Sequence, residues 1–415
     1  MKDIENTKKE APVKEAPMLG LTGMGGGVAS LMWHHAGGVE TGYLYAWGNN
    51  GFGNYGKNDR TTRSSPIQVG TDSDWSTLSN SAQEGYTSFQ GKKDGTLWVT
   101  GSPKEDGGGT MRGTTGLNNQ VIYSSPVQLP GAWTGDIANG QRYHLATKSD
   151  GTLWSWGTGT NGGLGQNNLT AYSSPVQIGT DTTWAITIGS VAASQHTSAA
   201  IKANGTLWTW GKNEKGLMAL GNQPQNYRRS SPVQVGTDST WNTIMGDTWG
   251  AFIATKTDGT FWSWGYGANG NLGQNNLTDR SSPVQVGTNT NWSGGINSAN
   301  RGILATKTDG TLWAWGYNGA GVLGISEPGA PNQRSSPTQL PGTTWKTEMR
   351  SLGSTSYGRA AVKTDGTMWS WGQNEVGQLG LNNKTNYSSP KQIPGTSWIA
   401  VGGLTQAKGF HALKK

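Results

Sequence analysis

Apolar and polar residues alternate with a period of two in short runs, and the same runs return along the whole chain. In "GTLWSWG" from Gly151, Trp154 and Trp156 fall on one face of a strand, with Leu153 and Ser155 on the other. Large rings on one face, with Leu and a small residue opposite, suit a sheet covered on both sides. Four strand-like pieces make each unit. One set is "WAITIG" from Trp184, "TSAAIK" from Thr197, "GTLWTWG" from Gly205 and "SSPVQVG" from Ser230. The second and third pieces are joined by Asp-Gly or Asn-Gly at Asp94, Asp150, Asn204, Asp258, Asp309 and Asp365. That dipeptide marks a hairpin, here expected as a type I′ turn with positive φ at both central residues. The fourth piece opens with Pro at 66, 126, 175, 232, 283, 337 and 390. Proline cannot donate to a ladder and belongs at a strand start or a sheet edge.

Seven four-stranded units, 49 to 60 residues apart, predict an all-β chain folded as a seven-bladed β-propeller of antiparallel blades. An open solenoid is disfavoured, because the hairpins make the units antiparallel and no capping repeat is evident. The ends indicate how the ring closes. The first unit starts at a third strand, "GYLYAWG" from Gly42, and the last stops after a second strand, "GFHALKK" from Gly409. The N- and C-terminal pairs are expected to share one blade, which removes the open edge.

Two segments precede the repeats. Residues 1–17 balance four Lys against four acids and read as a charged, disordered tail, with no apolar core of a Sec signal. Residues 18–41 form an apolar, Gly-rich stretch with Leu19, Leu21, Met24, Val28, Leu31 and Trp33. Its piece "VASLMWH" competes with the C-terminal "GFHALKK" for a second-strand place, giving eight candidates for seven positions. If the C-terminal copy takes it, residues 18–34 are a docking arm with no place in the propeller that ends at residue 415.

Composition agrees with tight turns between strands that bury large rings: 66 Gly, 21 Trp and no Cys in 415 residues. No run approaches the roughly 20 apolar residues of a membrane span, so membrane insertion is not expected. The net charge of +7 permits contact with anions, but no basic cluster stands out and nucleic acid is disfavoured as a partner.

The Trp-Gly endings (Trp156-Gly157, Trp264-Gly265, Trp371-Gly372) and following Leu-Gly pairs (Leu164-Gly165, Leu272-Gly273, Leu379-Gly380) resemble the regulator of chromosome condensation repeat family. The likeness covers residues 42–415 and implies the seven-bladed ring. The regular Trp-x-Trp-Gly and Ser-Ser-Pro-Val-Gln versions look like those of the bacterial and marine-phage branch. The family's name-giver is a nucleotide-exchange factor for a small nuclear GTPase. Its GTPase-contacting residues have no matched positions here, and a long basic nuclear tail is missing.

Catalytic chemistry finds little to work with. The repeated Asp residues are committed to turns, and there is no nucleophile elbow, phosphate loop with Lys or carboxylate pair outside them. His34, His35, His144, His196 and His411 lack zinc-type pairing, and the last three read as loop or rim residues. No metal or cofactor is expected, and no enzyme activity. Nineteen Trp occupy repeat positions and read as core; Trp33 and Trp249 stand outside them.

Repeats also show what varies inside a fixed unit. Eight residues before each hairpin turn stand Tyr86, Arg142, His196, Gly250, Arg301, Tyr357 and, by position, Lys408, with Trp249 one place off. These are expected to form a partner-binding ring on one face, since Tyr, Arg, Trp and His favour interface hot spots. Longer connections at 102–123, 212–229 and 317–334 form a second variable set on the same scaffold. The resulting expectation is a virion structural protein made in the host cytoplasm, a capsid- or tail-associated appendage present in multiple copies. Its arm docks other virion proteins and its face meets a host surface protein or glycan. The alternatives are a free inhibitor or adaptor propeller and a glycan-binding module built around Trp249.

Overall fold

The computed structural model describes residues 40–79, 86–102, 113–221, 223–224, 227–326, 333–405 and 408–415. Residues 1–39 lie outside the described part, and with them the expected tail, the arm residues Leu19, Leu21, Met24, Val28, Leu31 and Trp33, and His34 and His35. From Glu40 onward the chain forms seven four-stranded antiparallel sheets. Blades 1 to 6 run through residues 75–129, 133–177, 184–234, 241–285, 292–339 and 345–393 in order. In blade 2 the strands are Trp133–Asn139, Tyr143–Lys148, Leu153–Gly157 and Tyr172–Gln177, paired in chain sequence. Blade 7 is composite. Trp398–Leu404 and Gly409–Lys414 from the C-terminus pair with Tyr43–Gly48 and Arg63–Val69 from the N-terminus. Gly409–Lys414 therefore fills the seventh second-strand place, and the strand shared between the two ends of the chain closes the ring.

The core lies between blades rather than within them. Each of seven buried apolar clusters takes residues from two neighbours, as where Phe89, Leu97, Val99 and Leu129 of blade 1 meet Trp133, Ala146 and Trp156 of blade 2. Blade 7 likewise packs Leu44, Leu404 and Leu413 against Trp75 and Leu78 of blade 1. A sheet alone would leave both faces wet, so stability requires stacking and closure together.

Tryptophan sets the spacing. In six blades the second Trp of the third strand donates its indole N–H to a carbonyl in the preceding blade. The pairs are Trp47 to Gln378, Trp156 to Thr114, Trp210 to Gly163, Trp264 to Leu217, Trp315 to Asn271 and Trp371 to Val322, at 2.8–3.1 Å. The Leu-Gly glycines make room for these rings: a Cβ at Gly324 would stand 2.6 Å from the Trp371 Nε1. Blade 1 departs from the pattern. It carries Thr100 there, whose hydroxyl donates to the Asn54 carbonyl at 2.7 Å.

Glycine after that Trp has a second cause. Its φ lies between +96° and +107° in all seven blades, and a Cβ at Gly316 would stand 2.1 Å from the Arg301 carbonyl oxygen. The turn entering the second strand thus rests on the backbone of the third.

The hairpins form where expected but with different geometry. Lys92 N–H donates to Thr96 O and Gly95 N–H to Lys92 O, and only the glycine (φ +81°) is left-handed, so these are type I turns with a glycine bulge rather than type I′. Asp94 Oδ1 accepts both the N–H and the hydroxyl of Thr96, whose oxygen accepts the Trp98 indole N–H. The aspartate is selected for that chain of bonds, which lowers its carboxyl below the ordinary range. The Lys before each turn lies over two rings, as Lys148 does at 5.0 Å from Trp133 and 3.6 Å from Trp154. Two further details differ. Prolines sit within the outer strands at the bulge rather than opening them, as in Arg63–Val69. In blades 3 and 6 the opening Trp184 and Trp345 make single bridges, and the first strands begin later, at Val191 and Leu352.

Trp315→Phe keeps the ring but removes the donor, and is expected to cost roughly 1–3 kcal/mol through the stranded Asn271 carbonyl. Trp98→Phe, whose lost bond lies at a wetter turn, is expected to cost less; equal shifts in urea unfolding would contradict this account. Truncation after residue 408 removes the closing strand and is expected to abolish cooperative unfolding by circular dichroism.

Candidate functional site

First strands lead outward to one end of each blade, and third strands return to that same end. The turns before the second strands and the connections after the third strands therefore share a face, while the Asp-Gly turns lie opposite. All seven ring positions take the same backbone place. The carbonyls of Tyr86, Arg142, His196, Gly250, Arg301, Tyr357 and Lys408 accept N–H bonds from Ser102, Thr158, Lys212, Tyr266, Tyr317, Gln373 and Asn49 at 2.7–3.3 Å. Neighbouring turns are also tied together: Gln141 N–H to Gln195 O, Ser356 hydroxyl to Thr405 O and Asn300 N–H to Thr248 Oγ1.

Several side chains on this ring make local contacts. Tyr86 packs tilted against Phe52 with centroids 3.9 Å apart. Arg142 and His196 line a polar pocket between blades 2 and 3 with Thr158, Thr160 and Asn161, about 160 Å³ in volume. Trp249 and Arg301 meet between blades 4 and 5, the guanidinium 4.2 Å from the indole centroid. Tyr357 and Lys408 share the backbone position but enter none of these three contacts. Trp249 is 46% exposed, whereas the second Trp of every third strand that carries one is fully buried. Its N–H donates to Asn300 Oδ1 at 2.9 Å. The variable connections at 102–123, 212–229 and 317–334 emerge on this face, each with a part outside the described residues.

Two histidines belong elsewhere than expected. His144 and His411 are core residues in second strands, not loop or rim groups. His144 packs against Phe89 and Trp156, and its Nδ1 pairs with Asn139 Oδ1 at 2.7 Å. His411 Nδ1 pairs with the Ser88 hydroxyl at 3.1 Å, across the junction of blades 7 and 1. The strand alternation that buries each blade's second-strand residues carries them inward, a consequence their polar character hid. Among the described histidines, His196 is the one on the rim. Among the described residues no three His, Asp or Glu side chains gather as metal ligands would.

Four residues beside the ring escaped the sequence reading: Tyr266, Asn300 and the buried charges Asp247 and Arg359. Arg359 donates to the carbonyls of Ala299, Thr355 and Gly358. Burial pushes it down to about 10, opposed by the charge of Asp247. Burial raises the Asp247 carboxyl against its bond from Ser298 and nearby N–H groups. In the axial cavity Asp136 accepts N–H bonds from Gly189, Ser190 and Val191, and Arg350 donates to Gly135 O. For Arg359 the signal was available: a charge at a second-strand position that is uncharged in the other blades.

A sequence profile described as the regulator of chromosome condensation (RCC1) repeat matches residues 150–201 and 365–403. These two stretches match that repeat. The chain is 25% identical to the ultraviolet-B receptor UVR8 of Arabidopsis thaliana over 86% of this chain and 79% of that protein. It is 28% identical to the mitochondrial RCC1 domain-containing protein RUG3 of the same plant, over 69% and 64%. The human E3 ubiquitin-protein ligase HERC2 matches at 25% identity over 74% of this chain but only 6% of its own length. Among solved structures, yeast RCC1 (Prp20) bound to Kap60 superposes with a TM-score of 0.77 at 16% identity, covering 97% of each chain. Prp20p from Saccharomyces cerevisiae in a second structure gives 0.75 at 16% identity, over 91% and 92%. At that identity the structures show the shared fold, and the repeats imply a protein-binding or regulatory role.

Burial holds His144 down to about 3 and His411 to about 4, below the 6.5 of an exposed ring. Both are neutral in the folded chain and charge on unfolding, so their stabilising effect is complete above pH 6.5 and is lost as pH falls towards 4. The expected loss is roughly 1 kcal/mol per pH unit for each ring over that window. Urea midpoints measured from pH 7 to pH 4.5 check this, and His144→Gln is expected to flatten the slope.

Proposed function

We propose that this propeller is a non-enzymatic protein-binding module that grips its partner through the face bearing the ring residues. The observation that carries this reading is the exposed Trp249, held in one orientation by Asn300 and Arg301 on a scaffold whose repeat tryptophans are otherwise spent on packing. Rigid aromatics beside arginine on a preformed surface are what interface hot spots are made of. Use of the same scaffold by relatives supports it: one is titled a receptor, and yeast Prp20p is described with binding properties to Gsp1p and histones.

The setting we propose is a virion, with several copies attached through residues 18–34 to a capsid or tail. Its support is that the C-terminal Gly409–Lys414 occupies the seventh second-strand place, for which "VASLMWH" is the competing sequence, and that the repeat wording looks phage-like. Deletion of residues 18–34 is then expected to abolish incorporation into particles while leaving the fold intact, read by sedimentation and circular dichroism. A full-length protein absent from purified particles removes the virion setting and leaves face binding standing.

A photo-crosslinking residue placed at Tyr357, on the ring face, is expected to capture a defined partner in producing cells. The same residue at Asp365, in the opposite turn, is expected to capture none. Adducts from Asp365 alone would refute the face assignment.

A further inference from the structure

Among the described residues the turn of blade 5 stands apart. In blade 5 two successive non-glycine residues, Asn300 and Arg301, are left-handed, with φ of 48° and 66°. Such a backbone persists only where its surroundings over-determine it, and strain of that kind concentrates at binding sites. Three side chains hold it through four hydrogen bonds. Thr248 Oγ1 accepts the Asn300 N–H at 2.8 Å, and Asp247 accepts the Arg301 N–H at 3.2 Å and the Ser298 hydroxyl at 2.9 Å. Arg359 donates to the Ala299 carbonyl at 2.6 Å from below. The two buried charges of the neighbouring blades thus converge on this one turn.

Their effect is to aim a third charge outward. The Arg301 guanidinium lies 4.2 Å from the Trp249 centroid and 5.6 Å from that of Tyr266, while Trp249 is fastened by its bond to Asn300. Stacking engages the flat faces of a guanidinium and leaves its edge donors for an acceptor in the plane. Among the described residues no acid forms an ion pair with Arg301, and its Nε has no hydrogen-bond partner. A fixed, stacked cation without a counter-charge is a half-made contact.

We infer that Arg301, held between Trp249 and Tyr266, clamps a carboxylate of an acidic segment on the partner protein. The inference rests on the face-binding reading and adds the partner's chemistry to it. A single guanidinium above a buried carboxylate suits one negative charge better than a phosphate carrying nearly two. The chain's net charge of +7 draws such a segment in, and the exposed remainder of Trp249 offers cover for an apolar neighbour of the acid.

The test is fluorescence anisotropy on the full chain with labelled hexaglutamate, hexaglutamine and hexathymidylate, at 20 and 150 mM salt. Hexaglutamate is expected to bind in preference to both others. Arg301→Gln and Arg301→Lys are each expected to weaken it at least tenfold, and Trp249→Leu several-fold. Lys93→Gln, on an exposed turn of the opposite face, is expected to change it less than twofold. Near wild-type binding by Arg301→Lys would reduce the effect to net charge and overturn the clamp. So would absent hexaglutamate binding, tighter hexathymidylate binding, or a loss of structure in Arg301→Lys by circular dichroism. Partner capture at Tyr357 that survives Arg301→Gln would sink the clamp and leave the face-binding reading intact; capture from Asp365 alone would sink both.

Discussion

Six of the seven junctions of this ring depend on an indole that leaves its own blade and bonds to the backbone of the one before. The contact combines burial of the largest side chain with satisfaction of a carbonyl that the connecting loop would otherwise strand. A net hydrogen bond contributes only about 1 kcal/mol, but an orphaned buried carbonyl costs more, so the two partners are coupled in sequence. For five of these six Trp the preceding blade supplies a glycine close against the ring, so that the two residues are halves of one contact; Trp264 meets Ala219 at that place. Around the ring these contacts set the blade spacing, and the composite blade makes the spacing commensurate with seven.

That economy leaves a clear division between residues with structural duties and residues without them. The Asp of each hairpin is bound to a Thr, the Thr to a Trp, and the Lys is pinned over rings. On the face of the second-strand turns only the carbonyl has a structural duty, as acceptor for the third strand. The side chain on that carbonyl is left to vary, and it varies from Tyr to Arg to His to Gly. The residue at this place can therefore change from blade to blade at little cost to the ring.

The repeat wording made the fold legible. Pro, Asp-Gly and Trp at constant intervals specify strand number, pairing and closure, and each corresponds to a local physical demand. What failed was finer. Asp-Gly announces a hairpin but does not distinguish a two-residue turn from a three-residue turn with a glycine bulge; the following Thr, which takes the Asp side chain, is the missing clue. His144 and His411 read as rim groups because imidazole is polar, yet strand alternation places them between blades with Asn139 and Ser88 as partners. The column of ring residues was visible, whereas the pairing of Trp249 with Arg301 was not, because it crosses two blades. Arg359 was passed over for a related reason: a charge inside a strand looks like surface until the neighbouring sheet is known.

Thr100 gives the ring a direction. Six of the seven joints are riveted by an indole, and the seventh, where blade 1 meets the composite blade, is fastened by a hydroxyl on the Asn54 carbonyl. The lightest rivet thus stands beside the blade that is held only by strands from opposite ends of the chain. Under heat or pulling force a structure so made does not fail at random. It is expected to open first at that clasp, and because closure supports every other joint, the rest of the ring follows.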